Sequence, residues 1–381
     1  MPNDFEHSIT HCHATMIKED FQEPRWISDM DFMAPPAVIS ALQEKISKGI
    51  FGYKTMPLTF FTSIQDWILE QHHWKINQEW LVHSRGTISA LSMLIRCFSE
   101  PGDKIIIQQP IYHLFGQIIA LNNRVVVNNE LLLDEGHYAI DFIDLEQKLA
   151  IGAKILVFSS PHSPVGRVWN KKELERVGEL CLKYNTLLVS DEVYADLVYP
   201  GYSHTPLAAL SDAVSNNTIT CMSPSKTFNL AGLQTAYLII SNPQHRECYA
   251  KEQQRLDLTT PNYFGIIALE AAYTKSKEWL EDLLIYLEKN INYVTEFLQQ
   301  HFPEIKVIRP EATYVMWLDC RELGMDSSEL INFFYQKAKL GVGHGYKFGL
   351  GGEGFVRLNI GCPQEILRTA LDRLIRARKL L

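Results

Sequence analysis

The chain has 381 residues, 46% of them apolar and 21% charged. These are the proportions of a folded globular protein, and they exclude disordered, collagenous and coiled-coil chains. The formal net charge of −8 leaves no global positive field to hold nucleic acid or an anionic membrane surface.

At roughly 150 residues per domain the length predicts two or three domains. The seven cysteines are scattered and include no CxxC pair, which speaks against a disulfide framework or a zinc ribbon and for reduced, buried thiols. Residues 1–20 are polar with no apolar signal core, and no unbroken apolar run reaches membrane-spanning length, so a cytoplasmic location is expected.

Between about residue 80 and residue 245 short β-branched runs alternate with Gly, Pro or Ser-rich loops and helical patterns, the signature of parallel βα units. Buried strands are predicted at 80–83, 104–107, 154–158, 186–189 and 218–222. In open α/β sheets ligands bind beyond the carboxyl ends of strands, so the residues just after these runs carry the functional reading. The first strand runs into Ser84-Arg85-Gly86-Thr87-Ile88-Ser89-Ala90 and a helical pattern. A helix N-terminus after glycine offers free N–H groups to a phosphate; capping by Ser84 or Thr87 explains the same residues without a ligand. After 154–158 comes Ser159-Ser160-Pro161-His162-Ser163-Pro164-Val165-Gly166-Arg167, stiffened by two prolines.

The strand at 186–189 leads into Ser190-Asp191-Glu192-Val193-Tyr194. A carboxylate there needs a partner, for which a protonated heterocyclic nitrogen serves, with a phenol three residues on within reach of the same ring; an Asp capping the next helix is the alternative. The last of the five ends in Ser223-Pro224-Ser225-Lys226-Thr227-Phe228-Asn229. A lysine at a strand end between two hydroxyls suits an amine that condenses with a carbonyl while a phosphate is anchored beside it, and a surface loop lysine is the plain alternative.

From about residue 276 the pattern changes to a long amphipathic helix at 277–302, a strand at 314–318, a helix at 327–339 and a strand at 355–360, a smaller α+β unit. Alternation in that last strand puts Val356, Leu358 and Ile360 on one face and Arg357 and Asn359 on the other. Gly349-Leu350-Gly351-Gly352-Glu353-Gly354 matches GxGxxG, but a strand follows where the dinucleotide fingerprint needs a helix, so a mobile glycine loop is the reading. His11-Cys12-His13 and His72-His73 lack metal-site spacing, and no metal is expected.

Four strand ends thus bring a phosphate cradle, a polar loop, a carboxylate with a phenol, and a lysine among hydroxyls to one sheet edge, the parts needed to hold pyridoxal 5'-phosphate. With Trp26-Ile27-Ser28-Asp29-Met30-Asp31-Phe32, Gly49-Ile50-Phe51-Gly52-Tyr53, Glu100-Pro101-Gly102-Asp103, the segment from Ser223 to Gln234 and Gly352-Glu353-Gly354-Phe355-Val356-Arg357-Leu358-Asn359-Ile360, the chain resembles the fold-type I pyridoxal-phosphate enzymes, in the carbon–sulfur β-lyase branch of the MalY/PatB type. The resemblance implies a large, mostly parallel α/β domain over 45–275, and a small α+β domain from 1–44 with 276–381. It implies that Lys226 carries the cofactor covalently, Asp191 pairs with the ring nitrogen, Tyr194 bonds the ring's phenolic oxygen and Tyr112 stacks on the ring. Gly86, Thr87, Ile88, Ser223 and Ser225 match the phosphate region, Arg357 a grip on the substrate carboxylate, and Tyr53 a residue inserted from the neighbouring subunit of a homodimer. Ser163 stands where the family carries Asn. Arg85, Thr87 and His113 also depart from its pattern, and the N-terminal arm lacks an Arg-Arg-Gly-Thr-type segment.

The function implied is cleavage of cystathionine or related cysteine S-conjugates to a thiol, pyruvate and ammonia. An aminotransferase acting on an amino acid and a 2-oxo acid shares the early steps, and a regulatory or binding member of the family with weak catalysis is a third reading.

Overall fold

Residues 105–107 and 155–158 are apolar without alternation, as strands must be when helices cover both faces of their sheet. The computed structural model describes residues 28–379. Trp26, Ile27, His11-Cys12-His13 and the rest of the N-terminal arm lie outside the described residues. In chain order the strands are β1 (Leu81–Ser84), β2 (Lys104–Ile107), β3 (Val125–Asn128), β4 (Leu131–Asp134), β5 (His137–Ile140), β6 (Ile155–Ser159), β7 (Leu187–Asp191), β8 (Thr218–Met222), β9 (Ala236–Ile240), β10 (Lys306–Ile308), β11 (Val315–Asp319), β12 (Gly343–His344) and β13 (Phe355–Asn359). The five predicted runs all appear, within a residue or two of their expected ends.

The main sheet has seven strands in the order β1-β9-β8-β7-β6-β2-β3. Neighbours from β8 to β3 pair in parallel, whereas β9 runs against both β8 and β1. The sheet is thus mostly parallel, as expected, with β9 the one reversed strand. Between β8 and β9 the chain forms only the one-turn helix Pro224–Thr227 and the 3₁₀ turn Ala231–Leu233. Neither is long enough to carry it back across the sheet for a parallel return. Because β9 alone is reversed, β1, β2, β6, β7 and β8 all point one way and end along one edge.

The second sheet is antiparallel, β10-β11-β13-β12, and packs with the helices Lys277–His301 and Gln364–Arg378. The predicted helix at 327–339 opens on a capping box between Asp326 and Glu329, is α-helical over Ser327–Ile331 and continues as a π-helix over Asn332–Lys337; the adjacent Phe333 and Phe334 are both buried. In β13 the predicted alternation holds, but the polar face is no solvent face: Arg357 and Asn359 are each 6% exposed. That face looks onto the site described next.

Candidate active site

A cavity of about 730 Å³ opens where β1, β6, β7 and β8 end. Gly86, Thr87, Ile88, Tyr112, Ser163, Asp191, Tyr194, Ser223, Ser225, Lys226 and Arg357 all line it. Tyr53 does not; it is 95% exposed.

The Lys226 wall is built by a cap. Ser223 follows the buried strand β8, and its Oγ accepts from Ser225 N at 3.1 Å, starting the turn that lifts Lys226 off the strand. Ser223 Oγ also lies 2.7 Å from Ser225 Oγ and from the Thr235 carbonyl. Lys226 Nζ donates to the Ser28 carbonyl at 2.6 Å, an acceptor that the Tyr314 hydroxyl shares.

Asp191 closes β7 with one carboxyl oxygen, Oδ1, that has no hydrogen-bond partner. Burial pushes its carboxyl up to about 7, against the pull of the Val193 N–H and the Lys226 charge. An orphaned buried acid facing a cavity costs stability unless a donor or cation enters to meet it. Tyr194, 5% exposed, packs edge-on against Tyr314 with ring centroids 5.8 Å apart.

At the end of β1 the helix Thr87–Phe98 begins at Gly86 with no side-chain cap. The Ser84 and Ser89 hydroxyls bond the Gly86 carbonyl instead, at 3.0 and 2.8 Å, so capping does not account for this segment. The uncapped first turn, with Gly86, Thr87, Ile88 and Ser89 against the cavity, fits an anion.

Ser163 is buried in the wall on a loop fixed from below. His162 Nε2 lies 3.1 Å from the Gln108 carbonyl, Trp169 Nε1 donates to the Ser159 carbonyl at 2.9 Å, and Arg167 pairs with Glu311 at 2.6 Å. Across the cavity Arg357 stands on β13 with its guanidinium 5.0 Å from the centre of the Phe348 ring. The glycine-rich segment expected to be mobile is tied down: Leu350 N donates to Gln109 Oε1 at 3.1 Å. Gly349 sits at φ +94°, and a Cβ there would fall 2.2 Å from the Gln109 amide, so only glycine permits that contact.

Sequence reasoning passed over Asp196. This buried carboxylate accepts from Trp67 Nε1 at 3.1 Å and Thr227 Oγ1 at 2.8 Å, and lies 2.9 Å from His72 Nε2, anchoring the residue after Lys226 to the helix Leu58–His72. His72 is thereby committed to a carboxylate. Gln234, His344, Lys347 and Phe348 also line the cavity. Of these only Gln234, the last residue of the Lys226 segment, had a signal in the sequence.

The model of the family described as aminotransferase class I and II matches residues 27–374. The chain belongs to that family. It is 42% identical over 352 residues to cystathionine beta-lyase PatB of Bacillus subtilis, covering 92% of this chain and 91% of the relative. It is 35% identical to protein MalY of Escherichia coli, covering 93% and 91%. Cystalysin from Treponema denticola, a crystal structure that contains a pyridoxal 5'-phosphate cofactor, superposes with a TM-score of 0.92 at 33% identity, covering 97% of this chain and 99% of that one. The fold is fold type I of the pyridoxal-phosphate enzymes, as the sequence predicts.

Two consequences are measurable in the ligand-free protein. The Asp191 value rises from 3.8 unfolded to about 7 folded, so between those limits the folded chain holds a proton that the unfolded chain has released, and stability falls as pH rises through that window. Asp191→Asn is expected to raise stability toward denaturant at about pH 8 by on the order of 2–4 kcal/mol, a gain that vanishes near pH 3.5; an equal gain at both would contradict this account. Asp196→Ala strands three buried donors and is expected to cost about 3 kcal/mol or more, read from the denaturation midpoint.

Proposed function

We propose that this protein is a pyridoxal 5'-phosphate-dependent carbon–sulfur β-lyase that cleaves cystathionine or related cysteine S-conjugates to a thiol, pyruvate and ammonia. The observation that carries the reading is the orphaned Asp191 carboxyl beside Lys226, under an uncapped helix N-terminus. These groups fit the cofactor: the first turn at Gly86, Thr87 and Ile88 with the Ser223 and Ser225 hydroxyls meets a phosphate, Asp191 Oδ1 a protonated ring nitrogen, Tyr194 the phenolic oxygen, Tyr112 the ring face and Lys226 the aldehyde carbon. The cofactor supplies a cationic conjugated ring that draws electrons from the α-carbon of an amino acid joined to it.

Arg357, rigid on β13, holds the substrate carboxylate through two parallel N–H donors. Lys226 Nζ, with cofactor and substrate bound, would be the amine placed to take the α-proton as general base. Asp191, its ring partner bound, stays ionised and keeps the proton on the ring nitrogen. Ser163 adds a hydroxyl to the wall. The 42% identity to a relative named cystathionine beta-lyase supports elimination at a β-sulfur over amino transfer.

The exposed run Ile50, Phe51 and Tyr53, at 74%, 64% and 95%, supports a homodimer in which this segment covers the partner and Tyr53 enters the partner's site. The chain divides into a large unit over 45–275 and a small one over 1–44 with 276–381. The bonds from Asp31 N to the Gly361 carbonyl and from Asn359 Nδ2 to the Asp29 carbonyl, both at 2.7 Å, tie residues 29 and 31 to the small unit, while Asn229 bonds Met30 and Phe32 and the helix Pro36–Ser47 packs on Tyr263–Lys275 of the large unit. No described helix is long and apolar enough to cross a membrane, and a cytoplasmic site of action accords with free cysteines throughout the described residues.

Incubation of the holoenzyme with cystathionine alone is expected to release pyruvate over many turnovers, and Lys226→Ala to abolish it; one equivalent of keto acid and then arrest means an aminotransferase, and no turnover a binding protein. Mixing inactive Tyr53→Ala and Lys226→Ala chains is expected to restore activity, to about a quarter of wild type if subunits reassort at random, since each hybrid dimer keeps one intact site. Failure to restore any activity, with subunit exchange verified, would count against a shared site.

A further inference from the structure

After the cofactor phosphate and the substrate carboxylate are matched, the cavity retains positive charge that neither uses. Arg85 precedes the phosphate cradle and Arg357 takes the carboxylate, which leaves the Lys347 ammonium, accompanied by the His113 ring as a hydrogen-bonding group. They face the cavity from one wall, because the 109–113 loop and the 345–350 turn are bonded together: Ile111 N donates to the Phe348 carbonyl at 2.9 Å and Leu350 N to Gln109 Oε1 at 3.1 Å. Phe348 carries Arg357 on one side and meets the His113 ring edge-on at 6.5 Å. Lys347 is the residue before it, exposed at the cavity mouth and without an ion pair among the described residues.

Asp191 is the one carboxylate among the described lining residues, and it belongs to the floor. In a chain with a net charge of −8, a mouth of this sign is a local feature that concentrates anions. Burial, with the Arg357 and Lys347 charges, holds the His113 ring below its ordinary value, and a ring N–H of His113 is the hydrogen-bond donor that accompanies the ammonium.

We propose that Lys347, with His113, forms a second anion subsite that selects substrates whose leaving thiol ends in a carboxylate. The proposal rests on the lyase reading for the identity of the substrate, but the subsite itself is a property of the wall. Arg357 holds the α-carboxylate, the β-sulfur projects along the wall toward the mouth, and a carboxylate at the far end of the thiol meets Lys347 and the His113 ring N–H. An exposed ion pair of this kind contributes modestly, so the expected discrimination is about fivefold.

The test compares kcat/KM for two cysteine S-conjugates of equal length, one ending in a carboxylate and one in the corresponding carboxamide, with the holoenzyme. Wild type is expected to favour the carboxylate about fivefold, less at high salt. Lys347→Gln is expected to bring the ratio near one and Lys347→Glu to reverse it, with His113→Gln between. Lys347 is on the surface, so its variants fold. In parallel, calorimetry on the same proteins measures the affinity of linear dicarboxylates of increasing length against their monoamides. A wild-type ratio near one, or a ratio unmoved by Lys347→Glu, overturns the proposal. If neither conjugate is cleaved, the lyase reading fails, and the dicarboxylate-to-monoamide ratio across the variants still decides the subsite.

Discussion

A carboxyl group and an amine at the ends of two adjacent parallel strands are the constraint around which this molecule is organised. Asp191 ends β7 and faces Cys221 across the ladder, and five residues further on the neighbouring strand's extension carries Lys226. Water is largely excluded from the acid, whose second oxygen finds no partner in the protein. A site that leaves a buried charge unmet forgoes stability of its own, and that deficit becomes binding energy for a ligand bearing a complementary cation. The Ser223 cap, the uncapped helix at Gly86 and the Arg357 strand then decide which ligand can supply one.

Holding such a pair requires a stiff surround, and the groups beside it are tied inward. On the far side of Asp191, Glu192 is buried and accepts from Ser190 Oγ at 2.8 Å and from the backbone N–H of Leu207 at 3.2 Å, with His204 Nε2 at 2.9 Å. Beyond Lys226, Thr227 is held by Asp196, which also binds Trp67 and His72. The rings of His72 and His204 meet edge-on at 5.4 Å, so the two carboxylate clusters touch beneath the site. Strand, turn and helix are thereby locked through one buried polar network in which every carboxylate has partners, the condition under which buried charges rigidify rather than destabilise.

The chemistry-bearing loops were legible because each follows a short apolar run, and in a parallel sheet that position places a residue at the ligand edge whatever the rest of the chain does. Asp191, Tyr194, Lys226 and the Gly86 segment were found on that ground. Asp196 was not: a polar residue on a turn carries no sign in sequence that three donors from distant segments converge on it. Lys347 was missed for the same reason, since its position at the cavity mouth depends on the 345–350 turn meeting the 109–113 loop.

By itself the sequence determined the strand runs, the loaded loops after them and the family, because those depend on local periodicity and on residue types a few positions apart. Tertiary structure alone decided that β9 turns back, that the polar face of β13 looks into a cavity instead of water, that the Gly349 loop is pinned to Gln109, and that Tyr53 stands away from its own chain's site. Each of these is set by contacts between segments far apart in the chain, and no local pattern encodes which distant surface a side chain will meet.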